Sequence, residues 1–300
     1  MEKITLAGQL LQYLITGLTV GSIYAMVAVG FNIIYNVTEI INFAQGEFVM
    51  LGGLIMVFLH VAMGLPLILA FPATIILVTL VGMLLYRLAI SPIRRPSVLT
   101  LIIATIAASI LIKGAAMFIW GKDSFDLPAF SGRDPITFLG AVIQPQYLWV
   151  IGFLVIIVIA LSIFFNRTII GKAMSACADN PDAASLVGIN AKQMILLSFA
   201  LSAGIGAVAG ITITPISLME YDRGAMLAIK GFGAAILGGL GSFPGAILGG
   251  LIIGSIESFG AGLINSGYKD AFALLVLMAV LFFKPSGIFG DIEISKIKRF

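Results

Sequence analysis

Charged residues are scarce in this chain of 300 residues: Asp, Glu, Lys and Arg make up only 10%, whereas 60% of the residues are hydrophobic. The mean hydropathy is +1.13. A soluble domain of this size does not hide that much apolar surface, so the composition indicates an integral membrane protein. The formal net charge of +3 is small and does not suggest nucleic acid as a partner.

Cysteine and histidine occur once each. The single Cys177 excludes a disulfide within the chain, and His60 has no acidic or cysteine neighbours at ligand spacing, so we expect no metal site. The sequence also lacks a phosphate-binding Gly-x4-Gly-Lys-Ser/Thr loop, a serine nucleophile elbow and a His-Glu-x-x-His motif. We therefore predict no catalytic residues, no enzyme activity and no cofactor bound by this chain.

Long apolar runs dominate the sequence, and a helix needs about 20 such residues to cross a bilayer. Five runs reach that length, near residues 10–34, 66–86, 98–119, 146–165 and 194–218. Three shorter or interrupted stretches lie near residues 43–59, 226–264 and 270–283. The stretch 226–264 fits either two short helices or one broken helix. Because the runs are continuous rather than alternating, we predict an all-α polytopic bundle with eight or nine crossings.

Basic residues form three clusters, and such residues favour the cytoplasmic side of short loops. The clusters are Arg87, Arg94 and Arg95; Arg167, Lys172 and Lys192; and Lys284, Lys296, Lys298 and Arg299. We place all three, and with them the C-terminus, in the cytoplasm. Eight crossings then put the N-terminus inside and nine put it outside. The first run is too long for a signal-peptide core and lacks a small-residue cleavage site, so we expect it to be retained.

A polar island at residues 166–192 separates two apolar runs and carries signals for two short helices. An N-cap, a first-position proline, a first-turn acid and a terminating glycine follow in order as Asn180, Pro181, Asp182 and Gly188. They predict a helix over 181–187, preceded by a helical stretch over 172–178. A helix this short does not hold alone in water, so it needs a partner surface or the membrane interface. An ordinary loop between two membrane helices is the alternative.

Small residues recur at intervals of four in the apolar runs, which lets helix backbones approach closely in lipid. The sets are Gly241, Gly245 and Gly249; Gly250 and Gly254; and Gly206 and Gly210. The segment 238–245 also holds four glycines and Pro244, so it should interrupt a helix. We predict a tight turn or re-entrant bend there, on the cytoplasmic side, with a packing or hinge role.

Polar residues open the second apolar stretch. At 100° per residue Asn42 and Gln45 share a helical face, whereas Glu47 points about 140° away from Asn42 unless Gly46 kinks the helix. A charge inside the hydrocarbon costs several kcal/mol and is by default functional. We therefore hypothesise that Asn42, Gln45 and Glu47 lie in a translocation path or gate. Interfacial capping and interhelical bonding are the alternatives.

Three charged residues fall inside other apolar runs. Glu257 shares a helical face with Gly250 and Gly254, so we expect it to bond inside the bundle and to have a packing role. Lys113 and Lys230 lie within about two turns of the predicted external end, where long side chains can snorkel to the headgroups. We expect both lysines to snorkel.

Three segments together resemble one family. They are Asn42-Phe-Ala-Gln-Gly-Glu47 with Met50-Leu-Gly-Gly53, the island from Gly171 to Asn190, and Gly238-Gly-Leu-Gly-Ser-Phe-Pro-Gly-Ala-Ile-Leu-Gly-Gly250. Any one of them alone is a weak signal, but the combination is specific, and the likeness runs from about residue 8 to residue 290. On these segments the chain closely resembles the permease subunits of bacterial branched-chain amino acid ABC importers, specifically the shorter of their two permeases.

The resemblance implies a single transmembrane permease domain over residues 1–300, of the type II importer kind, in the bacterial inner membrane. It implies a heterodimer with a second, related permease, two cytoplasmic ATPases that use ATP, and an external substrate-binding protein for leucine, isoleucine or valine. It also implies that residues 166–192 form a cytoplasmic coupling loop that fits a groove on the ATPase. The residues so implicated are Lys172, Ala178, Asp179, Asn180, Asp182 and Gly188. Transport would proceed by alternating access.

Two other classes stay open. A secondary transporter driven by an ion gradient also uses broken helices and intramembrane acids, and it would work alone with Glu257 as its ion-coordinating group. A membrane scaffold explains the glycine packing but leaves the structured island without a purpose. In the resembled family the binding protein selects the substrate, so other neutral amino acids are expected to fit as well.

Overall fold

The computed structural model describes residues 6–93, 97–284 and 286–288, and most of them are helical. The α-helices within this part are α1 Leu6–Thr38, α2 Gln45–Val57, α3 Leu67–Leu85, α4 Val98–Trp120, α5 Pro145–Arg167, α6 Ile169–Asp179, α7 Pro181–Leu186, α8 Ala191–Ile213, α9 Arg223–Gly238, α10 Phe243–Leu263 and α11 Lys269–Phe283. Short π-helical turns extend α2 over Phe58–Ala62 and α3 over Tyr86–Ile90. A 3-10 turn, Ser266–Tyr268, precedes α11.

Within the described residues, eight helical segments are long and apolar enough to cross a membrane. They are Leu6–Thr38, Gln45–Ala62, Leu67–Ile90, Val98–Trp120, Pro145–Arg167, Ala191–Ile213, Phe243–Leu263 and Ser266–Phe283. The predicted all-α bundle is confirmed, and the stretch 226–264 is a pair of helices, of which α9 has only 16 residues. Five of the basic residues used to predict the orientation lie outside the described residues, namely Arg94, Arg95, Lys296, Lys298 and Arg299. The cytoplasmic placement of the C-terminus therefore stays a prediction.

The chain divides into two compact units. The first takes its described residues from Met1–Val29, Pro128–Leu154 and Ile229–Phe300, and the second takes them from Gly30–Leu127 and Val155–Ala228. Three of the four boundaries fall inside α1, α5 and α9, and the fourth falls in the loop between α4 and β1. A single domain over residues 1–300 stays a prediction.

In the first unit, the N-terminal part of α1 packs directly on α10 through glycine. A Cβ built on Gly254 would fall on the backbone of Gly21, and one built on Gly250 would fall on the backbone of Ala25. Gly249, which belongs to the other predicted series in this region, lies against the carbonyl oxygen of Ala234 in α9. These contacts confirm the predicted packing, since small residues let the backbones touch.

The turn between α9 and α10 is tight, as the sequence predicts. Gly239 and Gly241 have φ angles of 99° and 93°, a region that residues with a side chain rarely adopt. Ser242 then caps α10, its Oγ accepting a hydrogen bond from the Gly245 amide at 3.1 Å, and Pro244 occupies the first turn, where it costs no helix hydrogen bond. The glycines and the proline thus reverse the chain within a few residues. The side of the membrane on which they do so stays a prediction.

A short antiparallel hairpin, β1 Ile136–Phe138 and β2 Ala141–Ile143, also belongs to the first unit. Its two turn residues, Leu139 and Gly140, both have positive φ, as a two-residue turn of this kind requires. The hairpin meets the beginning of α1, where Gln12 Oε1 accepts a hydrogen bond from the Val142 amide at 2.7 Å.

In the second unit, α2, α3 and α8 pack against one another. A Cβ built on Gly210 of α8 would fall on the carbonyl oxygen of Val49 in α2, and one on Gly206 would lie 2.9 Å from the Phe48 Cβ. The spacing of four between Gly206 and Gly210 therefore marks a helix interface, as predicted.

Candidate functional site

Two capped helices make up the polar island of the second unit. Asn180 caps α7, its Oδ1 accepting a hydrogen bond from the Ala183 amide at 2.9 Å. Thr168 caps α6 in the same way, its Oγ1 accepting from the Gly171 amide at 2.9 Å. The predicted signals are confirmed. The first helix begins earlier than predicted because Thr168 supplies a cap at that point.

The residues predicted for coupling lie mostly on the outer surface of the island. Lys172, Asp179, Asn180, Asp182 and Gly188 are exposed, and Ala178 is half-buried. Gly188 follows α7 with a φ of 89°, which suits glycine and ends the helix there. Their docking role stays a prediction.

Two exposed apolar residues of the island were not predicted as part of the site. Leu186 is 88% exposed and Val187 is 78% exposed, at the end of α7. Outside the membrane-spanning segments, exposed apolar side chains that lie next to each other typically mark an interaction surface. The sequence does contain a signal for them, since Leu186 and Val187 are the only large apolar residues between Asn180 and Gly188.

Cys177 lies on the inner face of α6 and is only 2% exposed. Burial raises the pKa of its thiol above the ordinary value, because the thiolate is less well solvated there. In the detergent-purified chain we expect Cys177 to react slowly with maleimide at neutral pH. A cysteine at exposed Ala183, placed in a Cys177→Ser background, serves as the fast-reacting reference. Equal labelling rates at the two positions would contradict the packing of α6.

The polar residues around the start of α2 are buried in the second unit. Gln45 Oε1 accepts a hydrogen bond from the Ser202 hydroxyl of α8 at 2.5 Å. Glu47 Oε1 accepts one from the Ser109 hydroxyl of α4 at 2.8 Å. These contacts agree with the interhelical alternative, and a role in the path or gate stays a prediction.

Asn42 precedes α2, so the prediction that it shares a helical face with Gln45 is wrong. Its Oδ1 instead accepts a hydrogen bond from the Ala44 amide at 3.1 Å and helps to shape the approach to the helix. Among the described residues, its Nδ2 and the Oε2 of Glu47 are buried without a hydrogen-bond partner.

A buried ion pair joins α9 to α10 in the first unit. Lys230 Nζ lies 2.9 Å from each carboxylate oxygen of Glu257, and the Tyr24 hydroxyl donates to Glu257 Oε2 at 2.8 Å. Lys230 also lies 2.6 Å from Asp270 Oδ1, and both members of the central pair are 5% exposed. The prediction that Glu257 bonds inside the bundle is confirmed. The prediction that Lys230 snorkels is wrong, because two carboxylates hold its ammonium group within the unit.

Comparison with known proteins places these features in a family. The model of the family described as branched-chain amino acid transport system / permease component matches residues 13–281. The chain is 36% identical over 300 residues to the high-affinity branched-chain amino acid transport system permease protein BraD of Pseudomonas aeruginosa, covering 96% of this chain and 98% of that protein. It is 33% identical over 302 residues to LivH of Escherichia coli (strain K12), covering 96% and 97%.

A ribose import permease protein, RbsC of Haemophilus influenzae, is 28% identical over 273 residues, covering 87% of this chain and 81% of that protein. All three relatives are permeases rather than enzymes. The matched range contains the start of α2, the island and the turn before α10, and the eight apolar spans fit a multi-pass protein of the inner membrane. The chain belongs to the family of permease components of branched-chain amino acid transport systems.

Proposed function

We propose that this chain is the membrane-spanning subunit of an ATP-driven importer of branched-chain or other neutral amino acids. Its partners are a second, related permease, two cytoplasmic ATPases and an external substrate-binding protein. The chain itself binds no cofactor, and ATP is used by the ATPases. The likeness to BraD and LivH, whose names describe high-affinity branched-chain amino acid transport, supports the substrate class.

The observation that carries the ATPase coupling is the geometry of the island. α7 has only six residues, far too few for a helix to be stable by itself, yet it is capped and ends in the uncovered pair Leu186 and Val187. A groove on a cytoplasmic ATPase would cover these apolar side chains. It would also meet the exposed charges of Asp179 and Asp182.

Movement of the docked island would be transmitted directly to the membrane helices of the second unit, because α6 packs against them. A Cβ built on Gly171 of α6 would fall on the carbonyl oxygen of Phe164 in α5, so the two backbones touch. α6 also contacts α8, which packs against α2 and α3. ATP-driven closure of the ATPases would thus rock helices that are packed too tightly to deform separately.

The alternative of an ion-coupled transporter needs a carboxylate free to coordinate an ion. Glu257 accepts hydrogen bonds from Lys230 and Tyr24 instead. The acid on which that alternative depended is therefore neutralised by a fixed cation.

The test is co-purification of the tagged chain, expressed with candidate partner permeases and ATPases. The island variant carries Asp179→Lys and Ala183→Glu, both at exposed positions, so its folding should be unaffected. The control carries Asp134→Lys, a charge reversal at another exposed position, in the loop before β1. We expect wild type and control to retain the ATPases and the island variant to lose them. Retention by the island variant would remove the coupling assignment, and failure of wild type to bind any ATPase would contradict the importer.

A single apolar contact should dominate the docking. Leu186→Glu is expected to weaken ATPase binding by about 2 kcal/mol or more, roughly thirtyfold, because it places a charge where a buried anchor is needed. Leu186→Met should bind almost as wild type. Leu139→Glu, at another exposed leucine (75%), is the matched control and should leave binding unchanged. Binding is measured by titrating purified ATPase onto the permease in nanodiscs. Wild-type affinity of the Leu186→Glu variant for the ATPase would contradict the prediction that Leu186 is the dominant contact.

A further inference from the structure

Two helices of which the first turns lie in the second unit, α2 and α9, begin inside the membrane rather than at its surface. Gln45, at the start of α2, is hydrogen-bonded to Ser202, the middle residue of α8. Glu47 is hydrogen-bonded to Ser109, the middle residue of α4. Because α4 and α8 are both long and apolar enough to cross the bilayer, the start of α2 lies near its midplane.

The start of α9 touches the start of α2. A Cβ built on Gly224 would lie 2.7 Å from the Gly46 carbonyl oxygen and 2.9 Å from Glu47 Oε2. The two backbones are therefore in contact, and the first turn of α9 lies at the depth of Glu47. With 16 residues, α9 is about 24 Å long, which is too short to cross a hydrocarbon core of about 30 Å from one surface to the other.

The chain reaches this depth through residues 214–222, a segment of turns that follows α8. Since α8 starts directly after the island, the segment begins on the opposite, external side of the membrane. Phe125, shortly after the end of α4, pairs with Met219 there, so α4 also ends on the external side. Lys113, one turn beyond the middle of α4, has its Nζ 5.6 Å from the centre of the Tyr221 ring. The segment therefore descends from the external surface toward the midplane.

The lower end of this segment carries an exposed carboxylate, that of Asp222. A charge that faces hydrocarbon costs several kcal/mol, and irregular backbone at membrane depth is tolerated only where it is buried in protein or lines a water-filled cavity. Ala225 and Met226 stand three and four positions later, so they share a side of the first turn with Asp222, and they are exposed as well. Leu227 and Ala228 point elsewhere and are buried.

We infer that Asp222, Ala225 and Met226 line a water-filled part of the translocation path that is open to the external side. Asp222 gives this part a polar wall and Met226 gives it an apolar one, which suits a neutral amino acid with an apolar side chain. The polar residues at the start of α2, by contrast, are buried. The identity of the solute and the naming of the external side rest on the proposed function, whereas the presence of water beside Asp222 does not.

The first test is the reaction of introduced cysteines with a positively charged, membrane-impermeant methanethiosulfonate. Asp222→Cys and Met226→Cys are placed separately in a Cys177→Ser background and expressed with the partner permease and the ATPases. Spheroplasts are treated from outside, and the thiols that escape are counted with a fluorescent maleimide after denaturation. Ile110→Cys, beside Ser109 at the same depth and 66% exposed, is the matched control.

The thiols at positions 222 and 226 should react at least about tenfold faster than the thiol at position 110, because hydrocarbon excludes a permanently charged reagent. Fast reaction at either position, in a complex that retains its ATPases, supports the inference. Rates at both positions no faster than that of the control would show that this side of α9 faces lipid or the partner permease, and would overturn the inference.

The second test obstructs the path with large side chains. Ala225→Trp and Met226→Trp should each abolish ATP-driven leucine uptake while the ATPases stay bound, and having two variants covers the case in which one misfolds. Ile110→Trp is the matched control and should transport leucine as wild type does. Full uptake by a folded Ala225→Trp or Met226→Trp variant would contradict the assignment.

The two tests distinguish failure of this inference from failure of the proposed function. Labelling reports water beside α9 whether or not the complex transports, and wild-type uptake reports the importer. Fast labelling without ATP-driven uptake by wild type would contradict the importer but support the water-filled segment. Slow labelling with normal wild-type uptake would overturn the inference and leave the importer intact.

Discussion

Methionine in place of Lys230 is expected to lower the free energy of unfolding by about 3–5 kcal/mol, because it leaves Glu257 buried without its cation. Tyr24 alone then satisfies a carboxylate that is 5% exposed. The chain must either keep an uncompensated charge inside or protonate Glu257, and both cost free energy. The loss should appear in reversible unfolding in mixed micelles.

Removing both charges should restore much of that stability. The double variant Lys230→Met and Glu257→Gln replaces the ion pair by uncharged groups of similar size, which is often nearly neutral in a buried setting. Lys172→Met, at an exposed position of the island, is the matched control and should have no measurable effect. A Lys230→Met variant as stable as wild type would show that Lys230 is solvated, as snorkelling requires.

A single methyl group on Gly210 is expected to destabilise the second unit by about 1–3 kcal/mol through overpacking. The Cβ of alanine would fall on the Val49 carbonyl oxygen and within 2.9 Å of the Gly53 amide nitrogen. Both obstacles are backbone atoms, which cannot move away as a flexible side chain does. α8 and α2 would have to separate, which gives up their packing.

Alanine in place of Gly114 is a control for which no loss of stability is expected. Gly114 also lies inside a membrane-spanning helix, but a Cβ built there meets nothing within 4 Å. Gly114→Ala should therefore be neutral or stabilising by up to about 1 kcal/mol, the usual advantage of alanine over glycine in a helix. Thermal unfolding of the two variants in the same detergent gives the comparison. Equal effects at Gly210 and Gly114 would contradict the α2 and α8 interface.

Local patterns predicted the parts of the protein that depend on local physics. The apolar runs predicted the membrane-spanning helices, because such a helix must stay apolar over the thickness of a bilayer. Asn180, Pro181 and Gly188 gave the end points of α7 because caps act within one turn. The glycines and Pro244 gave the break before α10 for the same reason.

Contacts between residues that are far apart in sequence could not be predicted from local patterns. Lys230 and Glu257 stand 27 positions apart, and Gln45 and Ser202 stand 157 apart, so no local spacing pairs them. Gly210 and Gly114 look alike in sequence, although one touches backbone and the other faces open space.

The importer function is tested most directly by ATP-driven leucine uptake into proteoliposomes that contain this chain with its partner permease, the ATPases and the binding protein. We expect uptake that requires ATP in the lumen, on the same side as the ATPases, and that persists with Asp134→Lys. Uptake should be lost with Asp179→Lys and Ala183→Glu although the permease remains inserted. Uptake driven by an ion gradient without ATP, or full ATP-driven uptake by the island variant, would contradict this expectation.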